Sequence, residues 1–134
     1  MKFITKDTGY AIRALCAMSC YKDEIISVSE LVRMTKIPRP FLRKILQVLN
    51  KHGVIKSFRG KGGGFALERE PQKIYLADVM GIFQGRVKLI EHLFQRKPCP
   101  YMKACILKRR LDGIEKLVSQ KLNSITVASL MKKR

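Results

Sequence analysis

The chemically active side chains of this chain fall into two groups: four thiols with two imidazoles, and a run of unopposed bases. Cys16, Cys20, Cys99 and Cys105 are the thiols, and His52 and His92 the imidazoles. Four cysteines with no disulfide-rich framework around them point to packing, redox chemistry or metal binding. Cys16 and Cys20 stand one helical turn apart on an apolar stretch and are expected to be buried structural thiols. Cys99 and Cys105 differ, because the bases around them in Lys97-Pro98-Cys99-Pro100-Tyr101-Met102-Lys103-Ala104-Cys105 favour thiolate. Spacing alone leaves these two open between free thiols, an oxidative bond and metal ligation. Neither histidine has a neighbouring nucleophile and acid in sequence, so no catalytic constellation is formed and an enzyme is not expected.

The bases carry the stronger signal. Arg33, Lys36, Arg39, Arg43, Lys44, Lys51, Lys56, Arg59 and Lys61 lie within residues 33–67, a segment without Asp or Glu. Solvated faces usually mix both signs, since like charges destabilise the compact state. The whole chain has 134 residues, 28 Lys+Arg and 10 Asp+Glu, a formal charge of +18, so too few acids exist to cover the bases. Such an excess attracts polyanions, nucleic acid first among them. At 46% apolar residues there is enough material for a core, which excludes a disordered basic tail. No run of eighteen apolar residues occurs, so a membrane-spanning helix is excluded, and Met1 to Asp7 lack the features of a secretory signal. The expected location is cytoplasmic.

The elements that position these residues are mainly helical. Asp7-Thr8 can cap a first helix through Tyr10, Ala11, Ala14, Leu15 and Met18. Ser27-Val28-Ser29-Glu30 has the form of a capping box and opens a short helix ending near Lys36. Pro38 and Pro40 suit the first turn of a further helix, whose apolar face is Phe41, Leu42, Ile45, Leu46, Val48 and Leu49, with Gly53 as its stop. Two helices joined by so short a turn, the second with Arg43 and Lys44 opposite its apolar face, describe a helix-turn-helix. Val54 to Phe58 then alternates as a strand, and Gly64 to Leu67 can return antiparallel to it. The intervening Arg59-Gly60-Lys61-Gly62-Gly63 lacks the spacing of a P-loop and is expected to be a basic hairpin tip. The fold class expected is mainly α with a small β-hairpin wing.

A helix near 75–83 closes this domain. From about Cys105 a long polar helix carries the seam Leu107, Leu111, Ile114, Val118 and Leu122, which suits burial against a second copy more than packing on its own domain. Ser124 to Leu130 would form a short final helix. The organisation expected is a winged helix-turn-helix DNA-binding domain over 1–84, a cysteine-containing sensor loop over 85–104, and a dimerisation helix with its cap over 105–134.

Five segments together resemble the Rrf-two (Rrf2) family of winged-helix transcription regulators, the family of IscR, NsrR and CymR. They are Gly9 to Leu15, Ile37 to Leu46, the wing Val54 to Leu67, Ile74 to Val79, and Asn123 to Leu130. The resemblance implies a homodimer, held by the long C-terminal helix, on a two-fold-related operator of double-stranded DNA. Carried over residue by residue, the positions that read bases fall on Arg39, Pro40, Arg43 and Lys44. Those that enter the minor groove fall on the wing, Arg59 first, with Lys61, Gly62 and Gly63. IscR-like members often have Glu-Gln where this chain has Arg43-Lys44, so its operator is expected to differ from theirs. Arg43 is expected to read a base, and Lys44 to divide itself between base and phosphate.

The resemblance also bears on the thiols. Iron–sulfur members carry three cysteines here; Cys99 and Cys105 resemble the second and third, while His92 stands where Glu-Cys-Leu has its cysteine. An imidazole can replace a thiolate on iron and raises the potential. An iron–sulfur cluster on His92, Cys99 and Cys105 is therefore one expectation, with a fourth ligand from the partner's first helix. That position is Gly9 here, with Asp7 nearby, and the histidine some members place after the last cysteine is Lys108. The other expectation is a degenerate site of free thiols. Either way the function expected is sequence-specific regulation of transcription, with sensing of iron–sulfur status, redox state or nitric oxide through the Cys99/Cys105 segment. An RNA- or ribosome-associated basic protein without operator specificity is the alternative.

Overall fold

The structure is a computed structural model that describes residues 2–21, 23–89 and 105–131; His92 and Cys99 lie outside these residues. Helix α1 (Lys6–Ser19) begins before Asp7-Thr8, because Thr5 supplies the cap, its side chain accepting from the Thr8 N–H at 3.3 Å. Thr8 itself is fully buried and shares a hydroxyl–hydroxyl hydrogen bond with Thr5. A short helix α2 (Val28–Thr35) follows, with Ser27 Oγ accepting from the Glu30 N–H at 3.1 Å. The Glu30 carboxylate turns to Arg33 rather than back to Ser27, so only half of the expected capping box forms.

The turn Lys36-Ile37-Pro38 leads into α3 (Arg39–Lys51). Two features fix it. Thr35, buried, donates from Oγ1 to the Leu31 carbonyl and accepts from the Ile37 N–H. Lys36 takes the left-handed conformation (φ 62°) that ends α2, a place where glycine is usual. Strands β1 (Ile55–Phe58) and β2 (Gly64–Leu67) then pair antiparallel, Ile55 opposite Leu67 and Phe58 opposite Gly64. Ile26 and Phe65 exchange both backbone hydrogen bonds, at 2.8 and 2.9 Å, so the segment before α2 extends the hairpin into a third strand position. This is a winged helix.

The core lies where α1, α2 and α3 meet. Leu15, Met18, Leu31, Ile37, Leu42, Ile45, Leu46 and Leu49 are all at most 1% exposed, each contributing roughly 1.5–3 kcal/mol by leaving water. A 3₁₀ turn (Pro71–Lys73) leads to α4 (Leu76–Gln84), and α5 (Ile106–Leu122) and α6 (Val127–Leu130) complete the chain. α6 folds back onto α1: Tyr75 and Thr126 bridge, and Val127 joins the main core.

The α5 seam divides. Its C-terminal end packs on α4 of the same chain, with Leu122 buried and Val118 beside it. Toward the N-terminus Leu107 and Ile114 face outward. They are joined on the outward side by Ile106 (68% exposed) and, nearer the C-terminal end, Leu117 (67%), neither of which belongs to the expected seam. No helix among the described residues is long and apolar enough to cross a membrane.

Replacing Lys36 by glycine should stabilise the fold. Left-handed strain costs a non-glycine residue roughly 1–2 kcal/mol, and the added freedom of glycine in the unfolded chain returns roughly 0.5–1. A thermal denaturation midpoint higher by about 2–4 °C is expected for Lys36→Gly; an unchanged or lower midpoint would contradict the strain.

Candidate nucleic-acid interface

Helix α3 divides its side chains cleanly. Leu42, Ile45, Leu46 and Leu49 point into the core, while Arg39, Pro40, Arg43, Lys44 and Gln47 are exposed on the other side. The apolar face therefore fixes the rotation of the helix and so the direction of its bases. Pro38 ends the turn without a side-chain cap, and Pro40 sits in the first helical turn. Arg39 does not extend freely: its Nη2 donates to Ser29 Oγ of α2 at 2.8 Å. Arg43 and Lys44 are unobstructed.

Two bases that sequence reasoning missed stand beside this edge. The Lys6 ammonium lies 5.2 Å from the Phe41 ring and 5.6 Å from the Tyr10 ring, and the two rings are 6.4 Å apart. The Arg13 guanidinium lies 5.7 Å from the Tyr10 ring, and its Nη1 donates to the Thr35 carbonyl at the end of α2. A cation at a helix C-terminus is favourable, and a ring face attracts one. Lys6, Tyr10 and Arg13 are spaced by four and three residues on α1, a stripe that was available as a signal. What was not available was that Phe41 of α3 completes it.

The wing presents Arg59 and Lys61 on an exposed tip. Its turn requires its glycines. Gly62 has φ 79°, and a side chain on Gly63 would overlap the carbonyl oxygen of Phe58. Gly63 closes the turn by donating to the Gly60 carbonyl at 3.0 Å. At the base of the wing, Gly64 is pressed so closely on Ile26 that a Cβ would overlap its carbonyl oxygen. Lys56 lies over the Phe58 ring at 5.6 Å.

Charge neutralisation is sparse. Among the described residues the ion pairs are Glu30–Arg33 and Lys108–Asp112. The hydrogen bond from Arg33 holds the Glu30 carboxyl below its usual range, and the same bond raises the Arg33 guanidinium further. Neither pair reaches Arg39, Arg43, Lys44, Arg59 or Lys61. The surface formed by α3 and the wing is therefore a cationic ridge, with exposed hydrogen-bond donors and no opposing carboxylate.

The thiols are placed differently from expectation. Cys16 is half-buried, and burial, with a smaller push from Cys20, raises its pKa. Cys20 is exposed, its Sγ–H directed at the Cys16 carbonyl at 3.6 Å. The expected pair of buried thiols is thus one half-buried thiol and one at the surface, because α1 ends at Ser19 and Cys20 is the cap residue beyond it. Cys105 caps α5, its Sγ accepting from the Lys108 N–H at 3.4 Å, and Lys108 pairs with Asp112. The sulfur thus stands at the N-terminal end of α5, held in place by that N–H. No group of three His, Cys, Asp or Glu that could hold a metal is formed among the described residues. Gly9 leaves open space where a side chain would stand, and Asp7 is in the first turn of α1.

Comparison with known proteins places this geometry among regulators. A family model described as "Rrf2: Iron-dependent Transcriptional regulator" matches residues 4–133. A protein of Aquifex aeolicus provisionally named an HTH-type transcriptional regulator is 31% identical over 91% of this chain and 86% of its own length. The transcriptional repressor NsrR of Streptomyces coelicolor is 25% identical, over 96% of this chain and 87% of that protein. The structure of CymR, the global cysteine regulator of B. subtilis, superposes with a TM-score of 0.79 at 23% identity, covering 98% of this chain and 97% of that one.

Substituting Gly64 tests whether the wing depends on its contact with Ile26. Gly64→Ala should cost about 1–3 kcal/mol in urea denaturation, as overpacking does. Hydrogen-exchange protection of the Ile26 and Phe65 amides should fall with it. Wild-type protection in the variant would show that the wing is held elsewhere.

Proposed function

The chain belongs to the Rrf2 family of transcription regulators, and we propose that it acts as a homodimer reading an inverted-repeat operator in double-stranded DNA. The observation that carries this is the rotation of α3, which buries its apolar face and turns Arg43 and Lys44 outward beside the wing. On this reading α3 enters the major groove. Arg43 donates to O6 and N7 of a guanine, and Lys44 divides itself between base and phosphate. Arg39, steadied by Ser29, and Pro40 border the same bases. Arg59 enters the adjacent minor groove, where negative potential favours a guanidinium, and Lys61, Gly62 and Gly63 follow the backbone.

The labour divides along the chain. Residues 1–84 bind DNA, 85–104 form the sensor segment, and 105–134 carry the dimer contact. The outward apolar residues of α5, Ile106, Leu107, Ile114 and Leu117, are the face a second copy would cover. Two copies present two α3 helices to an operator of matching two-fold symmetry.

The sensor reading rests on the iron dependence in the family description and on Cys105 at the N-terminus of α5. His92, Cys99 and Cys105 are the residues that would hold an iron–sulfur cluster, with Asp7 of the partner's α1 nearest in sequence to the fourth position. Bound there, such a group would supply reversible oxidation and reactivity toward nitric oxide. The chain's own part is to hold the Cys105 sulfur against the Lys108 N–H at the start of α5.

Selection from random duplex DNA should return an inverted repeat; a pool without one would favour the RNA- or ribosome-associated alternative. On the selected duplex, Arg59→Ala should weaken binding and lower the slope of log K against log [salt] by about one unit. An unchanged slope would remove the wing from the interface. Protein purified anaerobically should carry iron and visible absorption that Cys99→Ser and Cys105→Ser abolish. Colourless, iron-free protein would sink the cluster and leave the regulator.

A further inference from the structure

Between the C-terminal half of α3 and the wing runs an open cleft of about 420 Å3. Gln47 and Asn50 line it from α3, and Ser57, Arg59 and Gly63 from the hairpin. Gln47 follows Arg43 by four residues and Lys44 by three, and Asn50 follows Gln47 by three. These side chains therefore continue the exposed stripe of α3 toward the wing. Gln47, Asn50 and Ser57 are all exposed. The side-chain hydrogen bonds nearby, Arg39 to Ser29, His52 to Val48 and Arg69 to His52, use none of these three side chains. Unlike the ridge on either side, the cleft walls bear one charge only, that of Arg59.

The proposed function gives this cleft an occupant. If α3 lies in the major groove and the wing in the neighbouring minor groove, one sugar–phosphate strand separates them. That strand has to pass between the two elements that flank it, which is through this cleft. We infer that Gln47, Asn50 and Ser57 form a neutral clasp on that strand. The amide N–H groups of Gln47 and Asn50 and the hydroxyl of Ser57 donate to its phosphate oxygens.

A neutral clasp has a consequence that a basic one lacks. Lysine and arginine contacts release condensed counterions and make affinity fall with salt, while neutral donors release none. Phosphate contacts also fix register without reading sequence. The clasp therefore holds helix and wing in step on the duplex, and its contribution persists at salt concentrations that weaken the ridge.

The test uses the full chain and two duplexes, the selected one and a scrambled one of equal length, with affinities taken by fluorescence anisotropy across a salt titration. Gln47→Ala/Asn50→Ala should weaken binding roughly tenfold, as expected for two neutral hydrogen bonds. The loss should be similar on both duplexes, and the salt slope should match wild type. Arg59→Ala, measured beside it, should lower the slope. Ser57→Ala should add a smaller loss of the same salt-independent kind. All three side chains are exposed, so the denaturation midpoint should not move. Wild-type affinity in the double variant would overturn the clasp, as would a change of slope. A loss confined to the selected duplex would overturn it too, by making Gln47 and Asn50 base readers. If wild-type protein binds no duplex, or Arg59→Ala changes neither affinity nor slope, the failure belongs to the underlying reading of α3 and the wing.

Discussion

The reciprocal backbone pair between Ile26 and Phe65 is the constraint on which the rest of this molecule depends. A two-stranded hairpin is marginal alone in water, and here the hairpin is short, glycine-rich at its tip and exposed on one side. The pair converts it into part of a sheet whose third member lies immediately before α2. Gly64 makes that possible by admitting the Ile26 carbonyl where a side chain would stand. Wing and helix-turn-helix thus share one backbone junction, and the spacing between Arg59 and Arg43 is set by hydrogen bonds rather than by a flexible link. α3 is fixed as rigidly from the other side, by four leucine and isoleucine side chains that cannot leave the core without losing most of their stabilisation.

This rigidity carries an electrostatic cost. Bases without acids repel, and the ridge of α3 and the wing accepts that repulsion in the free protein. Two devices moderate it. The rings of Tyr10, Phe41 and Phe58 lie near Lys6, Arg13 and Lys56, offering partial compensation without a carboxylate that would also repel phosphate. The two carbonyl contacts of Arg13 and Arg69 draw further positive charge onto helix ends. The acids that form ion pairs among the described residues, Glu30 and Asp112, engage neither α3 nor the wing. The result is a surface whose positive potential survives folding.

Much of this was legible in the residues. The apolar period of α3, the prolines at its start and Gly53 after it define that helix to within a residue. Gly64 to Leu67 is the observed second strand without adjustment. These elements are governed by local pattern and burial on one face, which sequence records directly. Other features depend on partners far along the chain. Ile26 sits in what reads as a polar connection, and only the arrival of Phe65 makes it strand. Phe41 reads as an apolar-face residue, yet it is 48% exposed beside Tyr10 and Lys6. Thr5 rather than Asp7 caps α1 because Thr8 is needed inside. Cys20 is at the surface because α1 ends there, and helical period does not tell where a helix leaves the core. The α5 seam was legible as apolar; its division between α4 and an outward face was not.

That division gives α5 the mechanics of a lever. The helix is pinned at Leu122 against α4, and α6 behind it is tied down by the Tyr75–Thr126 bridge. Its opposite end, with Cys105, stands roughly 25 Å away at the usual rise per residue. A tilt of about five degrees would move that end by about 2 Å while scarcely displacing the pivot. On the sensor reading proposed above, a disturbance at the sulfur would reach α4 as torque more than as translation. In a pair of such chains the same small angle, applied at both pivots, would change the separation of the two α3 helices.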